Sequence, residues 1–481
     1  MNAIRGALTL AVFSSLLLIA ARPALAQTEI VLYNFCSQPN CIDGEGPASS
    51  LTRDSAGNFY GTTALGGANM DGTVFELSPN GGGSYNETVL YSFCSVANCA
   101  DGNDPTSTVI FDGAGNLYGT ACSGGANGQG VPSACGAGFN GYGIVFELSP
   151  KPVGGCPSGS NTGNGWCEIV LYSFKSMPDG ASPFAGITFD PSGNLYGTTY
   201  TGGSGTGTVY ELSPNGKGVW SESVLYSFCA QPKCVDGSHP DGQLQAANGT
   251  FYATTESGGA DAAGTVFGLS PEPHGGCPSG SYTGNGWCEA ILHNFAGHPK
   301  DGYYPSGTPT LDSAGNLYGT TVYGGNGRCN VSKGCGAVWK MTPSGGTYTE
   351  ELLHSFQSGP GLFGCCFGIQ APDLPLPGVV LDSSGNLYGM TTYGGSPSYC
   401  QEKGKLPDVE GCGAMFELVR NAKGTKYTTE LVWIFTLVDG ANPLTSLISV
   451  GGNLYGTTYN GGLGDFCPSL EGCGIAFEFT P

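Results

Sequence analysis

Seven near-copies of one phrase constrain this chain more than any other feature. GNLYGTT stands at 193–199 and 315–321, with close versions starting at Gly57 (GNFYGTT), Gly115 (GNLYGTA), Asn248 (NGTFYATT), Gly385 (GNLYGMTT) and Gly452 (GNLYGTT). Their tyrosines, Tyr60, Tyr118, Tyr196, Tyr252, Tyr318, Tyr388 and Tyr455, follow one another at intervals of 56 to 78 residues. A period of that length with variable spacing marks a fixed structural unit carrying insertions. Around the phrase recur a short apolar segment ending in Asp, as in STVIFD (107–112) or AGITFD (185–190), then GTVFELSP (72–79) and ETVLYSF (87–93). These segments are rich in Val, Ile, Phe, Tyr and Thr and are bounded by Gly, Asn, Asp or Pro, which is how strands read. Four strands in each of seven units predict an all-β chain: a seven-bladed β-propeller of four-stranded blades. Between the first two strands, D-x-x-G-N predicts a tight hairpin in which Asp accepts backbone amides and Gly takes positive φ.

The phase of the repeat predicts how the ring closes. EIVLYNF (29–35) is a fourth strand with no unit before it, and GIAFEFT (474–480) is a third strand with no fourth behind it. The N-terminal strand should therefore complete the last blade and hide its edge. Ahead of it, residues 1–26 read as a signal peptide, with Arg5, an apolar run over 7–21 and a small-residue exit at Ala24-Leu25-Ala26. That run is shorter than the roughly 20 residues of a membrane span. Residues 27–481 are then one propeller domain, secreted or periplasmic, monomeric and not inserted in a membrane. The formal charge is −21, or −23 once Arg5 and Arg22 leave with the signal. A surface of that sign excludes nucleic acid as a partner.

Twenty cysteines in an exported chain point to disulfides. Cys36/Cys41, Cys94/Cys99 and Cys229/Cys234 share C-x-x-x-x-C, while Cys156/Cys167 and Cys277/Cys288 share GGCPSGS-x-TGNGWCE. Cys122/Cys135, Cys329/Cys335, Cys400/Cys412 and Cys467/Cys473 each bracket a Gly-rich stretch. Five histidines are too few to make these pairs zinc sites. Adjacent Cys365 and Cys366 stand apart, and a vicinal bridge, free thiols or other mates are all open to them.

Taken together, DG-x-x-P, D-x-x-GNLYGTT-x-x-GG and GTVFELSP followed by VLYSF resemble the tandem repeat called GloVer, or Gloeo/Verruco, over almost all of 29–481. The resemblance implies an exported bacterial protein, often with a further surface-sorting segment. It brings no catalytic residues to carry over, so function has to be read from the loops.

In a propeller the links between blades and the connections from second to third strand emerge on one face. There the Asp-Gly of the link recurs at Asp43, Asp101, Asp179, Asp236, Asp301 and Asp439, and tyrosines follow the second strand at Tyr200, Tyr323, Tyr393 and Tyr459. Acids beside aromatics suit a neutral glycan, a cell-surface protein or a calcium ion, although no D-x-D-x-D-G loop is present. The competing reading is that the aspartates cap turns and the tyrosines pack between blades. The sixth link breaks the pattern with GLFGCCFGIQAPDLPLP (361–377) and is a candidate ligand-contacting loop. No metal-spaced His cluster or nucleophile elbow is present, and no cofactor is implied. Irregular acids, namely Asp104, Glu256, Asp261, Asp373, Asp408 and Asp465, leave a glycan hydrolase or lyase open behind two other readings, a binding module first and a structural or adhesive protein second.

Overall fold

Each repeat folds into one small antiparallel sheet, and seven of these sheets stand as the blades of a β-propeller. The structure, a computed structural model, describes residues 27–135, 140–216, 219–278, 280–327, 333–357, 378–394, 411–468 and 471–481. The signal peptide expected over 1–26, the sixth link, Cys329, Cys365, Cys366, Cys400, Asp373 and Asp408 lie outside them. Blade three shows the pattern: Thr188–Phe189, Leu195–Thr199, Thr208–Pro214 and Trp220–Ser227 pair in that order. Among the described residues there is no α-helix.

The ring closes as the phase of the repeat predicts. Thr28–Asn34 pairs antiparallel with Ile475–Thr480, from Thr28 opposite Thr480 to Asn34 opposite Ile475, and is the outer strand of blade seven. Blades one, two and four exceed four strands: in blade one the inner strand is split into Glu45–Pro47 and Thr52–Arg53, and in blades two and four the hairpin arms Asn161–Thr162 and Tyr282–Thr283 pair with the outer strands. From these inserts Asn164 and Asn285 donate backbone hydrogen bonds to Leu90 and Leu225 on the outer strands of the preceding blades. Polar backbone that would otherwise form an open sheet edge is thereby covered.

The repeated phrase is also the material of the blade interfaces. The Gly of LYGTT leaves a space that an aromatic of the third strand fills: a Cβ on Gly61 would come within 2.6 Å of Phe75, and one on Gly119 within 2.7 Å of Phe146. Against that aromatic packs, edge-on or tilted, the Phe that ends the outer strand of the preceding blade. The pairs are Phe35–Phe75, Phe93–Phe146, Phe174–Tyr210, Phe228–Phe267, Phe295–Trp339, Phe356–Phe416 and Phe435–Phe477, with centroids 5.0 to 6.0 Å apart, one at every interface. Such pairs add about 0.5–1.5 kcal/mol each beyond the area they bury. The first Thr of the phrase donates to a carbonyl of the next blade: Thr62 to Ser107, Thr120 to Pro183 and Ala185, Thr198 to Gly242, Thr254 to Gly307, and Thr457 to Ser49. In blade six that place is Met390, and Thr392 bonds Pro443 instead. Those carbonyls belong to segments that line a cavity on the axis, including Ser49, Ser107, Ala185, Gly242, Gly307 and Thr445, which puts the first strand of each blade innermost.

Seven disulfides join described residues: Cys36–Cys41, Cys94–Cys99, Cys122–Cys135, Cys156–Cys167, Cys229–Cys234, Cys277–Cys288 and Cys467–Cys473. Cys335 and Cys412 are also disulfide-bonded. This density of bridges fits an oxidising, extracellular or periplasmic setting. No helix among the described residues is long and apolar enough to cross a membrane.

Candidate functional site

The six link aspartates sit at one equivalent corner, and the corner consumes most of their oxygens. Asp43 accepts from the Tyr33 hydroxyl and the amides of Ser37 and Gln38; Asp101 from Tyr91, Ser95 and the Val96 amide; Asp236 from Tyr226 and the amides of Ala230 and Gln231. Asp179 takes Tyr172 and the amides of Lys175 and Gly180, and Asp301 takes His293 and the amides of Ala296 and Gly302. Asp439 takes the Thr436 amide and hydroxyl. Five are buried, with Asp43 and Asp236 wholly so, and only Asp439 is half-exposed. The carboxylates thus hold the turn between an outer strand and the next inner strand and face inward.

Facing each of these aspartates across the interface is a second acid. Glu29, Glu87, Glu168, Glu222, Glu289 and Glu350 occupy one place on the outer strand, and each has an oxygen buried with no hydrogen-bond partner. Burial first, and the link aspartate of the preceding blade second, push the carboxyls of Glu29 and Glu87 up to about 8 and that of Glu222 to about 7. Glu168 rises to about 8 through burial and the Asp101 charge, against a hydrogen bond from Asn161. Glu289 is raised well above its ordinary value by burial and Asp236. At neutral pH Glu29, Glu87 and Glu168 therefore keep their protons for the most part and Glu222 is about half protonated, which lessens the pairing of anions across the interface.

What varies is the dipeptide inside D-G-x-x-P. It is Glu45-Gly46, Asn103-Asp104, Ala181-Ser182, Ser238-His239, Tyr303-Tyr304 and Ala441-Asn442 in turn. The second member has positive φ at every corner, from 53° at Asn442 to 62° at Gly46. Residues other than glycine take that conformation uncommonly, and such strain gathers where a side chain must be presented. One frame therefore holds six different dipeptides just ahead of the segments lining the axis, with Glu45, His239, Tyr303, Tyr304 and Asn442 half-buried and the others buried.

In blades three to five these corners meet two of the expected tyrosines. The Tyr200 hydroxyl donates to Glu256 Oε2 at 2.6 Å, and its ring lies 4.7 Å from the His239 imidazole and 5.2 Å from Phe184. His239 Nδ1 is 3.1 Å from the Ser257 hydroxyl, and burial holds its pKa below the usual value, so it is neutral at pH 7. Tyr303 and Tyr304 stack at 4.2 Å, Tyr323 joins them at 6.0 and 5.9 Å, and the Lys333 ammonium is 4.8 Å from the Tyr323 ring. Tyr459 packs instead against Gly46 of blade one, and burial pushes its hydroxyl up to about 12. Tyr393 is half-buried at the end of the second strand of blade six.

Between blades one and two the loop face opens into a cleft of about 240 Å³ lined by Asp71, Asn98, Asn103, Gln129 and Asn140 among glycines. Cys94–Cys99 and Cys122–Cys135 brace its walls. Asn103, 5% exposed, is fixed by reciprocal backbone bonds with Ser123, and its Oδ1 has no hydrogen-bond partner. Burial raises the Asp71 carboxyl, opposed by a hydrogen bond from Asn103. The signal that would have found Asn103, His239 and Tyr304 is the change from blade to blade inside a constant frame.

Among solved structures the chain is similar to a putative 6-phosphogluconolactonase from Bacteroides uniformis, with 12% identity, TM-score 0.42, and 81% of this chain and 86% of that one covered. It is also similar to a polysaccharide lyase described as an ulvan lyase of family PL25, with 10% identity, TM-score 0.48, and 94% and 93% covered. No curated protein matches the sequence. The profile of the Gloeobacter/Verrucomicrobia repeat matches residues 133–286 and 280–465, and the chain belongs to that family.

Proposed function

We propose that the loop face recognises a neutral, polyhydroxylated ligand of the glycan class without transforming it, with the cleft between blades one and two as the principal contact. The observation that carries this reading is the polar cleft itself, to which the corner of the second link contributes Asn103, one of six D-G-x-x-P corners that hold different dipeptides on the same strained backbone. A frame kept constant while its display changes is how rigid scaffolds hold binding residues. Amides and carboxylates such as Asn98, Asn103, Gln129 and Asp71 pair with sugar hydroxyls as both donors and acceptors, and the orphaned Asn103 Oδ1 is an acceptor awaiting a donor. The aromatic group of Tyr303, Tyr304 and Tyr323 offers apolar surface to the less polar face of a sugar ring.

The test is a glycan array on the mature protein, with and without calcium, followed by calorimetry on the best binder. Saturable binding that weakens at least tenfold in both Asn103→Ala and Gln129→Ala supports the reading. Binding unchanged in both variants would move the site elsewhere on the face, and no binding at all would leave a structural or adhesive role. Catalysis has one observation in its favour: neutral His239 beside a Tyr200–Glu256 pair, a base and a phenol in one sector. New reducing ends released from a bound polysaccharide by the parent, and not by His239→Ala, would establish it.

A further inference from the structure

At two blade interfaces the repeat exchanges its tyrosine for a histidine, His293 and His354, and at the first of them the exchange assembles a different chemistry. In the interfaces built around Tyr33, Tyr91, Tyr172 and Tyr226 a phenol donates to the link aspartate. Burial drives the ionisation of all four phenols upward, so they offer a metal nothing at neutral pH. Between blades four and five the same place holds His293, whose Nε2 lies 3.0 Å from Asp301 Oδ2. Glu350, from the outer strand of blade five, completes the group, with one donor atom from each residue and all three within 4.8 Å of one another. Glu350 Oε1 is buried without a hydrogen-bond partner among the described residues.

From this geometry we infer that His293, Asp301 and Glu350 form a zinc site that pins blade four to blade five. One imidazole nitrogen and two carboxylate oxygens are a usual zinc donor set, and two carboxylates balance the charge of the ion. Tetrahedral bonds of about 2.1 Å place neighbouring ligands about 3.4 Å apart, so the His293–Asp301 contact has only to open by a few tenths of an ångström. On binding, the hydrogen on Nε2 moves to Nδ1, and any proton on Glu350 is released. Side-chain exposures of 20% for His293 and 11% for Asp301 leave solvent access for a water as fourth ligand. Calcium is disfavoured, because it takes six to eight oxygens and does not select imidazole. The three other donor groups of this kind among the described residues rest on cysteines already in disulfides, such as Cys36, Cys99 and Cys122.

The site is tested on the full mature chain after chelation, by calorimetric titration with zinc, by the visible spectrum with cobalt, and by melting. Binding of one equivalent, the strong visible bands of tetrahedral cobalt and a melting temperature raised by several degrees are expected. His293→Tyr installs the residue that other interfaces already carry, so it should fold with an unchanged circular dichroism spectrum. It should weaken zinc binding at least tenfold and abolish the cobalt bands, and Glu350→Gln should weaken binding without altering the fold. Absence of saturable zinc binding to the parent, or binding and cobalt bands undiminished in folded His293→Tyr, would overturn the inference.

Discussion

Replacing Glu168 by glutamine should make the protein more stable at pH 7.5 and leave it nearly unchanged at pH 5. Glu168 is wholly buried, one oxygen accepts from Asn161 at 2.7 Å, and the other has no partner. Burial and the Asp101 charge lift its carboxyl from 4.5 to about 8. Because the folded state keeps a proton that the unfolded chain gives up above 4.5, this stability is complete below that pH. It is then lost as pH rises through the folded pKa. Each pH unit between the two corresponds to about 1.4 kcal/mol, so at pH 7.5 the group weakens the fold by ~4 kcal/mol relative to pH 4.5. Glutamine has the same shape, can still accept from Asn161 and does not ionise. Urea denaturation of parent and Glu168→Gln should therefore agree within about 1 kcal/mol at pH 5 and separate by ~3–4 kcal/mol at pH 7.5. A separation that is the same at both pH values would refute the claim that a buried, protonated glutamate sits in this interface.

Removing residues 28–35 deprives Ile475–Thr480 of its partner strand and should lower the melting temperature sharply; a truncated protein that melts with the parent would rule out closure by this strand. Gly119→Ala puts a methyl 2.7 Å from Phe146 and should destabilise by about 1–3 kcal/mol, whereas Gly113→Ala, with nothing within 4 Å, should fall within about 0.5 kcal/mol of the parent in the same denaturation assay. Thr120→Val keeps the shape but removes the donor shared by the Pro183 and Ala185 carbonyls, and should weaken the fold by about 1–3 kcal/mol; a neutral result would mean that the tie between blades two and three adds nothing.

Blade number, strand order, ring closure and most cysteine pairs were legible because each is written locally, as a short phrase, a turn or a close pair. The role of the first threonine in LYGTT was not, since the partner of Thr120 is more than 60 residues away on the next blade. For the same reason the acids were read by halves. Asp101 announces itself as turn chemistry, but the glutamate that faces it, Glu168, lies one blade further along the chain. The binding residues were sought among the repeating aspartates and the tyrosines after the second strand. Asn103, His239 and Tyr304 occupy the places inside the corner that do not repeat, and Tyr200 and Tyr323 gain their surroundings from His239 and Tyr304. The grouping of His293, Asp301 and Glu350 is likewise not written locally, since Glu350 comes from the outer strand of the following blade.

The strand that closes the ring also decides how the molecule answers to force. Thr28 lies opposite Thr480, so the backbone enters and leaves blade seven at neighbouring points, at the same end of an antiparallel ladder. A load pulling those points apart meets the rungs one at a time, beginning at Thr28, and peels the ladder open instead of straining all its bonds in parallel. With residues 28–34 drawn away, the outer edge of Ile475–Thr480 is bare. In a pulling experiment with handles attached at residues 28 and 480, blade seven should therefore yield first and at low force, with the other six blades following as separate, later events.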